Sequence, residues 1–85
     1  MVIKYYSDPA HGWYAVKRTV LDQFNVADKI TPYSYQNGQT VYLEEDMDGY
    51  TLIHALRNAN VKYEIVDGSH TNKRSPIRSY KSYAP

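Results

Sequence analysis

Hydrophobic and polar positions along this chain change their spacing several times, and each change marks an element. Val2 to Tyr6 is β-branched and aromatic, and it stops at Ser7, Asp8 and Pro9, which bend a chain through side-chain hydrogen bonds and a fixed φ. That pattern predicts a first short strand. After His11 and Gly12, the stretch Trp13 to Val16 is strand-like again. Val20, Leu21 and Phe24 then fall at the spacing of one face of a short helix, with Thr19 or a neighbour available to cap it. Asn25 suits the left-handed conformation that ends a helix, and Thr31 with Pro32 closes the connection that follows.

The strongest local signal is Tyr33-Ser34-Tyr35-Gln36, then Asn37-Gly38, then Gln39-Thr40-Val41-Tyr42-Leu43. Asn followed by Gly accepts positive φ at both central positions of a type I′ turn, whose twist matches two antiparallel strands. A central β-hairpin is expected, with Val41 and Leu43 on one face and Tyr33 and Tyr35 on one face of the partner. Beyond it, Leu52, Ile53, Ala55, Leu56 and Ala59 repeat at helical spacing. Glu44, Glu45, Asp46 and Asp48 precede that segment, where carboxylates offset the positive end of a helix dipole and where Asp48 or Asp46 can cap the first free N–H groups. Asn58 and Asn60 mark the far end, and Val61, Tyr63 and Ile65 alternate with Lys62 and Glu64 as a half-buried strand does.

The elements together predict an α+β fold: a small, mainly antiparallel sheet with a central hairpin and two helices. At 85 residues the chain fits one compact body of about 12 Å radius of gyration. Such a chain buries only about 60 to 65% of its unfolded surface, too little core to enclose a large cofactor; none is expected. A 42% hydrophobic and 22% charged composition is that of a globular protein. The absence of cysteine excludes a disulfide framework and thiolate-ligated zinc. Apolar runs stop far short of the roughly 20 residues that span a bilayer, and no signal-peptide core follows Met1, so a soluble, unexported protein without a membrane partner is expected.

Charge divides the chain. Residues 1 to 67 carry six Lys or Arg against nine acids, net −3, whereas the rest carries Lys73, Arg74, Arg78 and Lys81 and no acid, net +4. We therefore expect a compact domain over residues 1–67 and a basic, tyrosine-containing tail over 68–85, partly ordered or flexible. Its basic residues are suited to phosphates and Tyr80 and Tyr83 to unpaired bases. Tyrosine and arginine are equally the residues favoured at protein interfaces, so Trp13, Lys73, Arg74, Arg78, Tyr80, Lys81 and Tyr83 form the candidate partner-binding set. The competing reading packs Ile77, Tyr80 and Tyr83 back onto the sheet and leaves the charges solvated or paired with the acidic run.

Other constellations carry less. Glu44, Asp46, Asp48 and Gly49 match the first, third, fifth and sixth positions of a calcium loop, but the bidentate acid needed at the twelfth is Ala55. A helix entrance, or a negative patch facing a basic partner, is the alternative reading of those acids. His11, His54 and His70 lack metal-ligand spacing. Ser7, Asp8 and His11 hold the side-chain types of a nucleophilic triad, but neighbours in sequence supply neither its geometry nor an oxyanion hole. No catalytic or metal residue is assigned, and no enzyme is expected.

Ser7-Asp8-Pro9-x-His11-Gly12-Trp13, Pro32-Tyr33-Ser34-Tyr35-Gln36, Tyr42-Leu43-Glu44-Glu45-Asp46 and Ile77-Arg78-Ser79-Tyr80, in that order, resemble a group of small proteins encoded by bacteriophages and prophages. The resemblance covers nearly the whole chain. It implies a setting, the cytoplasm of a bacterial host, and no mechanism. Very small proteins of that class act stoichiometrically on a host enzyme, a defence complex or nucleic acid. The expectation is thus a non-catalytic accessory protein that binds a host protein, with inhibition of a defence system as one outcome and nucleic-acid binding through the tail as the alternative. Self-association through an exposed strand edge stays open.

Overall fold

The β-branched and aromatic runs pair into one sheet. The computed structural model describes residues 1 to 85, and its six strands are β1 (Val2–Ser7), β2 (Gly12–Lys17), β3 (Tyr35–Asn37), β4 (Thr40–Glu44), β5 (Glu64–His70) and β6 (Lys81–Ser82). They lie in the order β5-β1-β2-β4-β3-β6. Every neighbouring pair is antiparallel except β1 with β5, which run parallel. The fold is α+β, with a radius of gyration of 12.0 Å.

Period-two alternation divides the sheet into two faces. Ile3, Tyr14, Val16, Val41 and Leu43 point inward, where α1 (Arg18–Gln23) and α2 (Asp48–Asn58) deliver Leu21, Leu52 and Leu56. Val26, Ile30 and Tyr83 complete this inner cluster. Lys4, Tyr6, Trp13, Ala15, Tyr35, Tyr42 and Glu44 share the outer face, as the register pairs Tyr6 with Trp13, Ala15 with Tyr42 and Tyr42 with Tyr35.

The expected helices form, and Asn25 and Asn60 take φ of 58° and 57° beyond their ends. Three local expectations are corrected. The hairpin turn is displaced by one residue: Asn37 pairs with Thr40, so Gly38 and Gln39 are the central residues, with Gly38 at φ 61° and Asn37 still in the strand. Glycine at the first central position is the arrangement of a type II′ turn. Neither Asp46 nor Asp48 caps α2; Met47 is its N-cap residue and makes no side-chain cap bond, while Glu44 Oε1 accepts the Met47 N–H at 2.6 Å. Thr19 does not cap α1, whose N-cap residue is Lys17.

Asp48 turns inward instead. Fully buried, its carboxylate accepts the Thr31 N–H at 3.1 Å, the Thr31 hydroxyl at 2.7 Å and the Ser34 hydroxyl at 2.5 Å. Ser34 Oγ in turn accepts the Glu44 N–H at 2.9 Å. One carboxylate at the first turn of α2, where the helix dipole favours negative charge, thereby fixes the loop before β3 and the end of β4.

The boundary expected at residue 68 falls inside β5, and the segment after it is no separate arm. Pro76–Ser79 forms a 3₁₀ turn across the outer face, β6 adds to the free edge of β3, and Tyr83 enters the inner cluster. There the Tyr83 N–H donates to the Ser34 carbonyl at 2.8 Å and its hydroxyl to the Ala27 carbonyl at 2.5 Å. The Arg18 guanidinium lies 5.3 Å from the Tyr83 ring centre and donates to the Ala84 carbonyl and to Gln36 Oε1. The chain thus forms three layers: helices, sheet and a C-terminal strap.

If the strap belongs to the body, Ile77→Ala should lower the unfolding free energy in urea by about 2 to 4 kcal/mol, and exposed Lys73→Ala by less than about 0.5 kcal/mol. Asp48→Ala, which leaves the Thr31 N–H and hydroxyl and the buried Ser34 hydroxyl without their acceptor, should lose about 2 to 4 kcal/mol in the same assay.

Candidate functional site

The strap crosses only part of the outer face. Ile77 and Trp13 are both buried outside the inner cluster, and Arg78 of the strap lies over the Trp13 ring. Tyr80 lies against Tyr42 with ring centres 5.3 Å apart, and Tyr42 meets Tyr6 at 6.0 Å. Burial pushes the Tyr42 hydroxyl above its ordinary pKa, with Tyr80 and Tyr6 adding to the effect.

What holds the strap down is Asp8. Its side chain is fully buried and accepts the Arg78 Nε and Nη2 hydrogens at 2.7 and 2.8 Å, the Ser75 N–H at 2.9 Å, and the Ala10 and His11 N–H groups at 3.0 Å each. The bidentate guanidinium pairs residues 70 apart in sequence. Arg78 above all, helped by the backbone donors, holds the Asp8 carboxyl well below the usual carboxylate range, against burial, which acts the other way. Arg78 also sits 6.0 Å from the centre of the Trp13 ring.

This arrangement corrects the candidate set. Trp13, 2% exposed, is core under the strap and offers no surface to a partner. Arg78 is engaged by Asp8 and Tyr83 is buried among the inner residues, while Tyr80 is half-buried on Tyr42. Lys73, Arg74 and Lys81 remain exposed and outside the molecule's single ion pair, Asp8–Arg78. The tail therefore offers charge but no free aromatic ring.

Ser7, Asp8 and His11 do not assemble as a triad, because Asp8 is taken by Arg78. Ser7 instead meets His70, a residue far along the chain, with Oγ 2.8 Å from Nδ1, and His70 Nε2 lies 3.3 Å from Asn72 Oδ1. With Nε2 protonated toward Asn72, Nδ1 accepts the Ser7 hydroxyl hydrogen, a nucleophile-and-base contact in form. His70 is exposed, however, and none of the five surface depressions is lined by Ser7, His70 or Asn72. The parallel register that sets Ser7 beside His70 accounts for the contact. No group of three His, Asp or Glu side chains is placed to hold a metal ion. No helix is long and apolar enough to cross a membrane.

Two depressions flank the strap. One, of about 460 Å³, lies over the β1, β2 and β4 ends left bare and is lined by Met1, Val2, Lys4, Tyr6, Ala15 and Tyr42 among others. Val2 is 64% exposed at its rim, and Lys4 and Lys17 bring positive charge to it. The other, of about 360 Å³, opens at the opposite end of the sheet among His11, Trp13, Tyr33, Tyr35 and the acidic residues 44 to 46. The tail's charge is visible in the sequence and the first depression is not, because only the register shows that Val2, Lys4, Ala15 and Tyr42 share a face.

The chain matches no protein-family model, no curated protein and no solved structure.

Because Asp8 has a lowered pKa in the folded state, its contribution to stability is present above the unfolded value near 4 and is lost as pH falls through the folded value. Arg78→Ala removes the main cause of that lowering. The difference in melting temperature between wild type and Arg78→Ala should therefore be largest near neutrality and shrink on acidification below about pH 4.

Proposed function

We propose that this protein is a non-catalytic accessory protein that acts by binding another protein, and that the bare part of the outer sheet face is its docking surface. The observation that carries the reading is the lysine-flanked depression. A sheet face normally is covered or polar, yet here Val2, Tyr6, Ala15 and Tyr42 line about 460 Å³ of open concavity with no segment of the chain above it. Lys4 and Lys17 make an apolar partner surface edged by carboxylates the complementary occupant. The resemblance of the sequence motifs to those of small bacteriophage proteins supports a host protein as that partner, including a component of a defence system, in the cytoplasm of a bacterial cell.

Nucleic acid is the second reading, and exposed Lys73, Arg74 and Lys81 favour it. Against it stands the burial of Tyr83 and the engagement of Arg78, which leave the tail without the aromatic stacking that unpaired bases use.

A photo-crosslinking residue at Lys4 or Lys17, with Asn58 on the opposite layer as the control, tests the choice in lysate of infected host cells. One protein captured from both sheet positions and not from the control, after nuclease treatment, is the expected result, with capture from position 17 lost in the Val2→Asp/Lys4→Glu variant. Binding that falls steeply with salt and disappears with Lys73→Ala/Arg74→Ala/Lys81→Ala would replace this reading by nucleic acid.

A further inference from the structure

The second depression has a chemistry of its own. Its nine lining residues are Ala10 to Trp13, Tyr33, Tyr35 and Glu44 to Asp46. The wall it presents is His11 and Tyr35, and buried Trp13 backs both edge to face, with ring centres 6.0 Å from His11 and 6.3 Å from Tyr35. Tyr33 stands beside them, 78% exposed. Its ring offers a ligand an apolar face and a polar hydroxyl. Glu44, Glu45 and Asp46 bring three carboxylates to the same concavity, and none is within ion-pair distance of any cation in the molecule, whose single pair is Asp8–Arg78.

The walls are built rather than loose. Asp8 fixes one of them by accepting the Ala10 and His11 N–H groups. Asp48 fixes the other through Ser34, whose Oγ accepts the Glu44 N–H. Gly12 lies between them in the lining, and a Cβ there would overlap the Tyr5 hydroxyl, which itself donates to Glu45 Oε1 at 3.0 Å. Two buried carboxylates thus hold an aromatic wall and an acidic wall in fixed relation before any ligand arrives, which spares a ligand the entropy of ordering them.

We infer that this depression binds the cationic end of a lysine or arginine side chain carried by a partner polypeptide. Aromatic faces attract ammonium and guanidinium groups through the ring quadrupole, and the uncompensated carboxylates supply the remaining attraction. The aromatic wall takes the methylene stem while the charge stays at the acidic mouth. A neutral side chain of the same length gains only the stem contact, and an anionic one is repelled. The polypeptide source rests on the binding-protein reading above; the cation specificity does not.

The test uses the full chain and two probes, N-acetyl-lysine methylamide and its neutral isostere, the N-acetyl methylamide of 2-aminoheptanoic acid, followed by amide NMR shifts and by the fluorescence of Trp13, the sole tryptophan. Saturable shifts at residues 10 to 13, 33 to 35 and 44 to 46 with the lysine probe alone are expected. Tyr33→Ala and Asp46→Asn, both at exposed positions, should each weaken binding about three- to fivefold with the amide spectrum otherwise unchanged. Equal binding of the neutral isostere, or no saturable shift, would overturn the inference. A third arm uses spermidine: tight binding of the free polyamine with none of a lysine-containing tripeptide would overturn the polypeptide source. No partner is present in these titrations, so their failure leaves the docking surface over Lys4 and Lys17 untouched. Conversely, a partner captured there that is indifferent to Tyr33→Ala would not rescue this site.

Discussion

Five hydrogen bonds converge on the carboxylate of Asp8, and the outer layer of the protein depends on them. The turn after β1 has backbone donors that need an acceptor, and the C-terminal strap has a guanidinium that needs an anion. One buried side chain meets both. A buried carboxylate left without its partner is costly, so strap and turn are coupled: neither is satisfied alone. Through that coupling Trp13 and Ile77 become core, and the concavities on either side of the strap acquire fixed edges.

Asp48 does the same on the inner side. It is placed by the first turn of α2, and it holds the loop before β3 through Thr31 and Ser34. Ser34 then reaches three parts of the molecule, since its hydroxyl bonds Asp48 and Glu44 and its carbonyl accepts from Tyr83. Both acids that the fold buries serve as acceptors for backbone and side-chain donors, which takes them out of surface chemistry. Glu45 and Asp46, left outside, keep their charge exposed beside aromatic rings. The division between structural and available carboxylates therefore follows burial, and it gives the outer face an acidic end and a lysine-bearing end separated by the strap.

Much of the architecture was legible in the residues. The β-branched and aromatic runs at Val2–Tyr6 and Trp13–Val16, helical spacing at Leu52–Leu56, and asparagines suited to left-handed helix ends are local properties, and local sterics and periodicity determine them. The Gly38 turn was legible as a hairpin but not in its register, because the pairing of Gln36 with Val41 chooses which residue leads the turn. The basic composition of residues 73 to 81 was equally visible, yet composition assigned Arg78 and its neighbours alike to the surface.

What the residues alone determined, then, is the set of strands, helices and turns, and the α+β class that their alternation and spacing define. Tertiary structure decided that Asp8 and Arg78 meet across 70 positions, that Ser7 lies beside His70, and that Tyr83 joins the helices' side of the sheet while Tyr80 stays on the other. The reason is physical. Periodicity is set by backbone geometry over a few residues, whereas ion pairing and burial depend on which distant segments the sheet order brings together, and a parallel β1–β5 pairing or a strap over one face leaves no trace in local spacing.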